Sequence, residues 1–343
     1  MSPGGEDLQK RERRRIRTLP RLLAAGLVAV LLLSGFALIY DNSGIKETNP
    51  TGATATCWKG RQYVANMTEG FSWFVTDENG FNNASVPDEI DVLFTGDSHI
   101  EGAQLAQGDT AAAVLDRLLD GQNVYSIGIT GNFLNFAVQN AENALETFHP
   151  KKAIILDVFG GTLYQDEADM RAIAAHEKER VPAMFESGPM YYIKQIPCVK
   201  PLLYGLRDWI APPHYQTSPR PEVLTPEYLD ALDAFLGVLG DAAKREGVTP
   251  IIVYHPEETI EPDGTIAYRK DAEYYGQFAA ACEKNGIVLL DLTEDFRAFT
   301  AKEHVLMHGF SNTSAGDGHL NKYGHLVMAQ ALARTLKELE GQA

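Results

Sequence analysis

Short apolar runs rich in β-branched residues alternate with amphipathic helical patterns along residues 90–339 of this 343-residue chain. The apolar runs predict five strands, at residues 90–95, 123–127, 153–159, 250–254 and 287–291. The helical patterns predict five helices, at residues 106–119, 132–148, 226–247, 271–285 and 321–339. Because every predicted strand is followed by a helix, the chain is expected to form an α/β domain around a five-stranded parallel sheet.

The N-terminal residues have a different composition from the rest of the chain. Residues 1–21 carry seven basic and three acidic side chains, a net charge of +4, whereas the whole chain carries −16, so the remainder carries −20. Residues 22–40 contain no charged side chain and, at about 1.5 Å per residue, just span a bilayer core. We therefore expect a basic cytoplasmic segment and a single transmembrane helix. A cleaved signal peptide with Gly35-Phe36-Ala37 near its cleavage site is the alternative.

The remaining residues are then expected outside the cytoplasm, at the cell membrane and in the periplasm or beyond. Residues 41–62, rich in Asn, Thr, Gly and Ser, are predicted to be a linker, and residues 63–343 form the folded domain. The strongly acidic outer part excludes nucleic acid as a partner, because it would repel phosphates.

Two parts of this domain do not follow the alternation of strands and helices. Residues 63–90 are predicted to be irregular, with the aromatic side chains of Phe71, Trp73, Phe74 and Phe81 packed on the domain edge. Residues 160–225 form a long insertion, which is too long for a structureless loop. We expect either a lid over the active-site edge or a packed decoration without a catalytic role.

The three cysteines, Cys57, Cys198 and Cys282, are widely spaced and form no metal-binding pattern. They allow at most one intrachain disulfide, and the sequence does not fix the pair. Buried free thiols are the alternative.

A serine follows the first predicted strand, and an aspartate and a histidine precede the last predicted helix. Ser98 supplies a nucleophile, which needs a base to take its proton, and His319 titrates in the required range. Asp317 is expected to fix the tautomer of that histidine. For the oxyanion we expect the N–H groups of Ser98 and Gly128 and the side-chain amide of Asn132.

Each of these residues also has an ordinary structural interpretation, such as a helix cap for Ser98 or a turn for Asp317-Gly318. The site is favoured because parallel strands end at one edge of the sheet, where ligands bind.

Three blocks of the chain resemble the SGNH (GDSL-type) hydrolases. They are Gly96-Asp97-Ser98-His99, Tyr125-Ser126-Ile127-Gly128, and Asp317-Gly318-His319-Leu320-Asn321 followed by Gly324-His325. Asp77 to Asn82 also resembles the lead-in of extracellular members. The resemblance implies a three-layer, flavodoxin-like sandwich and a serine esterase that needs no cofactor.

The chain departs from the pattern of this family in three places. After the third strand it has Gly160-Gly161-Thr162 in place of an asparagine turn, so either Thr162 or Asn132 is expected to substitute for that asparagine. The spacing from Asp317 to His319 is one residue shorter than usual. His99 replaces the usual leucine, and Gly-Asp-Ser-His resembles the polysaccharide O-acetyltransferase (alginate-acetylation) branch. There His99 would either contact a sugar or pack at the helix start.

Taken together, these features predict a membrane-anchored, extracytoplasmic serine esterase that acts on an acyl or acetyl ester, such as one on a cell-envelope glycan. The alternatives are an O-acetyltransferase supplied by a membrane-bound acyl exporter, and an inactive glycan-binding module.

His255, His304 and His308 are further candidates for the base, but they lack an aspartate neighbour like that of His319. No histidine–carboxylate group has zinc spacing, so no metal is expected.

Overall fold

The computed structural model describes residues 18–32, 46–48, 56–58, 60–66, 69–120, 122–177, 221 and 223–342. The following statements concern these residues.

A five-stranded sheet forms the centre of the domain, and all its strand pairs are parallel. Its strands are β5 (Val92–Thr95), β6 (Val124–Ser126), β7 (Ala153–Phe159), β8 (Thr249–His255) and β11 (Val288–Asp291). The order across the sheet is β11-β8-β7-β5-β6. The central strands β5, β7 and β8 are almost wholly buried, as their continuous apolar sequences predict. The predicted five-stranded parallel sheet is confirmed.

Helices cover both faces of this sheet, which gives the expected three layers. One core unites the sheet with α4 (Leu134–Phe148), α5 (Glu167–Ala174), α6 (Pro226–Glu246) and α7 (Ala272–Lys284). The opposite core unites it with α3 (Ala111–Leu118), α8 (Thr293–Glu303) and α9 (Lys322–Gln342). Fully burying one Leu, Ile or Phe side chain contributes about 1.5–3 kcal/mol, so these two cores supply most of the stability of the domain.

Three short antiparallel pairs lie outside the central sheet. They are β1 (Lys46–Thr48) with β2 (Thr56–Trp58), β3 (Tyr63–Asn66) with β4 (Ser72–Val75), and β9 (Glu257–Ile260) with β10 (Ile266–Arg269). The segment at 63–90, expected to be irregular, thus contains the paired strands β3 and β4, and the short strands β1 and β2 lie within the expected linker at 41–62. The alternation of β4 buries Phe74, but it leaves Trp73 about 70% exposed, and Phe71 just before the strand is about 72% exposed.

The N-terminal helix α1 occupies residues 18–32 of the described chain. Its leucines are exposed, and among the described residues no helix is both long and apolar enough to cross a membrane. Residues 33–40 of the predicted span lie outside the described part, as do residues 178–220 of the insertion.

Of the cysteines, Cys282 is a buried free thiol, and burial raises its pKa to about 12. Cys198 and the side chain of Cys57 lie outside the described part.

Candidate active site

Ser98 begins a one-turn helix, α2 (Ser98–Glu101), directly after strand β5. Asp97 caps this helix by accepting a hydrogen bond from the backbone N–H of His99 at 2.8 Å. Gly96 lies between strand and helix, and a Cβ there would be 2.5 Å from the Ile100 side chain. The tight turn places Ser98 at the carboxyl edge of the sheet, in the first helical turn, where its own N–H has no intrahelical acceptor.

His319 connects Ser98 to a carboxylate from a distant part of the chain. Its Nε2 lies 2.7 Å from Ser98 Oγ, and its Nδ1 lies 2.5 Å from Glu69 Oε2. The backbone N–H of His319 donates to the other oxygen, Glu69 Oε1, at 2.6 Å. Because an ionised carboxylate only accepts hydrogen bonds, Nδ1 carries the proton and Nε2 is free to accept the proton of Ser98.

The pKa values of this pair shift in the directions expected for a base and its supporting acid. Burial alone would lower the pKa of His319, but the hydrogen bond and the charge of Glu69 outweigh it and raise that pKa above 6.5. Burial likewise opposes ionisation of Glu69, yet His319 lowers the pKa of this carboxyl below 4.5. The charge of Glu69 therefore stabilises the imidazolium that forms when His319 takes up a proton.

The structure corrects the expected role of Asp317. Glu69, and not Asp317, is bonded to the ring of His319, and Asp317 is exposed on the surface of its turn. The backbone N–H of Asp317 donates to the carbonyl of Ser314. Between Asp317 and His319 the backbone passes through Gly318, at φ +102, and a Cβ there would lie 2.1 Å from Glu69 Oε1. The carboxylate of Glu69 therefore occupies the space beside the base.

Two of the expected oxyanion donors have other roles. Gly128 packs so closely on α2 that a Cβ would lie 2.6 Å from the backbone of Ile100 and of Glu101, and its N–H is directed at Ser126 Oγ, 3.4 Å away. The side-chain amide of Asn132 donates to Thr95 Oγ1 at 3.1 Å and to the carbonyl of Gly96 at 3.3 Å.

Thr162, the other candidate substitute for the missing asparagine, donates its hydroxyl to the carbonyl of Phe159 within its own turn.

The loop between β6 and α4 nevertheless borders the nucleophile. Ile129 N–H donates to the carbonyl of Gly96 at 3.0 Å, and the carboxylate of Glu101 accepts from Thr130 N–H at 3.0 Å. Within this loop Gly131 has φ +85, and no atom lies within 4 Å of the position of a Cβ. The loop is thus held against α2 with an open glycine at its tip.

Three buried histidines lie beside the triad and form what we call the histidine cluster: His99, His255 and His308. One ring nitrogen of each lies within 4.8 Å of the others, and the ring centroid of His99 is 4.9 Å from that of His319. The two remaining members face carboxylates at 3.4 Å, His255 Nε2 with Asp157 Oδ2 and His308 Nδ1 with Glu258 Oε2. Sequence spacing missed this grouping, because its members come from different strands and loops.

One member of the cluster is not free to bind a metal. His99 Nδ1 accepts a hydrogen bond from the backbone N–H of Leu320 at 3.1 Å, so its other nitrogen carries the proton and has no lone pair for a metal. The remaining potential ligands are His255 and His308, with the carboxylates of Asp157 and Glu258 beside them.

His99 is buried at the start of α2, as one of the two sequence interpretations expected. Burial lowers the pKa of all three cluster histidines, and that of His255 to about 3.

Other residues singled out in the sequence are structural. Asn321 caps α9 by accepting from the N–H of Tyr323 at 2.9 Å, which confirms the predicted cap. His325 Nδ1 accepts from the N–H of Ala111 and joins α9 to α3. His304 ends α8 in the left-handed region, at φ +56.

The geometry thus defines a class of site: a serine–histidine–carboxylate triad at the carboxyl edge of a parallel α/β sheet. Such a site can transfer an acyl group through its serine.

No protein-family model matches the chain, and no curated protein matches it. Solved structures do match. An acetyl xylan esterase is 14% identical, covering 72% of this chain and 99% of that one, with a TM-score of 0.40. TesA is 12% identical, with coverages of 72% and 98% and a TM-score of 0.39. A lipolytic protein of the G-D-S-L family from Veillonella parvula is 16% identical, with coverages of 71% and 97% and a TM-score of 0.35.

Proposed function

We propose that this protein is a serine esterase in which Ser98 is the nucleophile, His319 the general base and Glu69 the carboxylate that orients the base. The observation that carries the proposal is the continuous chain of hydrogen bonds, 2.7 Å from Ser98 to His319 and 2.5 Å from His319 to Glu69. A serine hydroxyl without such a base is a poor nucleophile at neutral pH.

In the acylation step, Ser98 Oγ bonds to the ester carbonyl carbon while its proton moves to His319 Nε2. The tetrahedral intermediate collapses when the carbon–oxygen bond of the ester breaks, and the leaving alcohol takes the proton from His319. Water then attacks the acyl-serine, His319 takes a proton from this water, and Ser98 Oγ takes that proton back as the acid leaves. Glu69 stays ionised throughout and stabilises the imidazolium.

The oxyanion needs backbone donors beside Ser98. The N–H of Ser98 is one, because it lies in the first turn of α2. We assign the second to Gly131 in place of Gly128, because the loop of Gly131 is bonded to Gly96 and the tip is open.

We further propose that the substrate is a small acyl ester, such as an acetyl ester on a cell-envelope glycan, and that the domain is anchored outside the cytoplasm by residues 22–40. The uncharged run behind a basic segment supports the anchor. The acidic charge of the remainder suits a neutral substrate better than an anionic one.

The first test measures p-nitrophenyl acetate hydrolysis by the full chain in mild detergent, with an oligosaccharide acceptor present or absent. We expect nitrophenol release that is lost in Ser98→Ala and retained in Ser311→Ala, whose serine is exposed on the turn of Asn312. Acetate as the sole acetyl product supports the esterase, whereas acetyl on the sugar identifies a transferase. Equal activity in wild type and Ser98→Ala would remove Ser98 from the mechanism.

The anchor is tested by alkaline washing of membranes from cells that express the chain. The full chain should stay in the pellet, and a variant without residues 22–40 should be released. Release of both would contradict the anchor.

A further inference from the structure

The triad depends on a carboxylate that the central sheet does not carry. Glu69 precedes His319 by 250 positions and lies between β3 and β4, which within the described part of the chain pair only with each other. A two-stranded pair of this size is marginally stable alone, so contacts with the rest of the domain must fix its tip. The question is which contacts hold Glu69 within hydrogen-bond distance of the histidine.

Asn312 makes such a contact through both ends of its side-chain amide. Its Oδ1 accepts from the N–H of Gly70 at 2.8 Å, and its Nδ2 donates to the carbonyl of Gly70 at 3.3 Å. Gly70 directly follows Glu69, so the Asn312 side chain forms two hydrogen bonds to the backbone next to the carboxylate. The two partners are 242 positions apart in the sequence, and these bonds therefore join the tip to the loop that bears His319.

Both sides of this contact are themselves held in place. Thr313 Oγ1 accepts from the N–H of Phe310 at 2.8 Å, which closes the turn around Asn312. Gly70 has φ +68, and a Cβ there would lie 2.7 Å from the carbonyl oxygen of Gln104 and 2.9 Å from the ring of Phe310. The tip thus fits closely against this turn, and Asn312 supplies polar bonds where the backbone of Gly70 would otherwise face water.

We propose that Asn312 is a positioning residue that holds Glu69 against His319 and so completes the triad. This inference rests on the proposed function. The side chain of Asn312 is bonded to the backbone of Gly70, and it acts on the triad through that backbone.

The first measurement compares Asn312→Ala and Asn312→Asp with the neighbouring control Ser311→Ala. Losing a neutral hydrogen bond typically changes a rate or an equilibrium by up to about tenfold, so we expect kcat/KM of Asn312→Ala to fall about tenfold. Asn312→Asp keeps the acceptor for the Gly70 N–H and loses the donor to its carbonyl, so its loss should be smaller. Ser311→Ala should keep the wild-type rate.

A double-mutant cycle separates positioning from general damage to the loop. If Asn312 acts through Glu69, Asn312→Ala should cost nothing further in a Glu69→Gln background. An equal loss in both backgrounds would overturn the proposal.

A second readout does not require turnover. We would follow the ring of His319 by NMR titration, and its pKa should be lower in Asn312→Ala than in wild type, because the Glu69 carboxylate that raises it is held less firmly. An unchanged titration midpoint in a folded variant would refute the positioning role. Absence of esterase activity in wild type, with this midpoint still lowered, would refute the proposed function and leave Asn312 as the residue that positions Glu69.

Discussion

His319 and the histidine cluster lie side by side, and each has carboxylates nearby, yet their protonation behaviour is opposite. His319 is hydrogen-bonded to Glu69 at 2.5 Å and its pKa is raised. A ring nitrogen of His255 lies 3.4 Å from Asp157, and one of His308 lies 3.4 Å from Glu258, which also accepts from the backbone N–H of His308 at 2.9 Å. Burial lowers the pKa values of both histidines. At His319 the hydrogen bond and charge of Glu69 therefore outweigh burial, whereas at His255 and His308 burial dominates.

The largest expected effect comes from removing the acceptor. Glu69 accepts from both the ring and the backbone N–H of His319, one with each oxygen. Glu69→Gln has one oxygen only, so its amide nitrogen must face a donor and the ring loses its orientation. We expect kcat/KM for p-nitrophenyl acetate to fall on the order of 10³- to 10⁴-fold, as for other triads that lose their acid.

The matched control is Asp157→Asn, the same carboxylate-to-amide change beside His255. Burial raises the pKa of Asp157 well above 3.8, whereas the pKa of Glu69 is lowered. Activity should stay far above that of Glu69→Gln, because the ring of His319 is hydrogen-bonded to Glu69 and not to Asp157. A loss as large as that of Glu69→Gln would mean that the cluster, too, takes part in catalysis.

A smaller effect is expected from displacing Glu69 without changing it. In Gly318→Ala the new Cβ would lie 2.1 Å from Glu69 Oε1, and φ +102 is strained for alanine. A displacement of about 1 Å in a catalytic group costs on the order of 10²-fold, which is the loss we expect in kcat/KM.

Gly316→Ala separates backbone strain from the contact with Glu69. Gly316 also has a positive φ, +75, but the nearest atom to its Cβ position is 3.8 Å away. This variant should lose stability through backbone strain and keep most of its activity. Equal losses of activity in the two variants would contradict the contact with Glu69.

The pKa of His255 is lowered and that of His319 is raised, so the two histidines should change the free energy of unfolding with pH in opposite directions. The folded-state pKa of His255 is depressed from 6.5 to about 3, so below pH 6.5 only the unfolded chain binds this proton. The free energy of unfolding should then fall by about 1.4 kcal/mol per pH unit for each such proton as the pH drops from 6.5. His255→Asn should reduce this slope by one proton, measured by urea unfolding at pH 7, 6 and 5.

His319 should behave in the reverse sense. Its folded-state pKa is raised, so its contribution to stability is fully present below pH 6.5 and is lost as the pH rises through the folded value. His319→Asn should therefore weaken the protein more at pH 5 than at pH 8. If the two substitutions changed the pH dependence of stability in the same direction, the opposite pKa shifts of His255 and His319 would be refuted.

The sequence predicts the central fold well, because strands β5, β7 and β8 are apolar enough to be recognised one by one. It draws attention to Ser98 and His319 for a related reason: Ser98 begins α2, and His319 lies three residues before α9. It misses Glu69, since a single acidic residue between two short strands carries no spacing signal. Its partner is 250 positions away, and only the folded chain brings the two together. The histidine cluster is missed on the same grounds.

Asp317 shows that proximity in sequence does not ensure contact in the fold. Its substitution should have the smallest effect on kcat/KM. It lies two residues before His319, yet the backbone turns at Gly318 and the side chain remains exposed. Asp317→Asn should change kcat/KM by less than about twofold, since exposed substitutions typically alter free energies by at most about 0.5 kcal/mol. The assay is run beside Glu69→Gln at the same pH. A large loss in Asp317→Asn with an active Glu69→Gln would reverse the assignment of the triad carboxylate, because the two residues compete for one ring nitrogen.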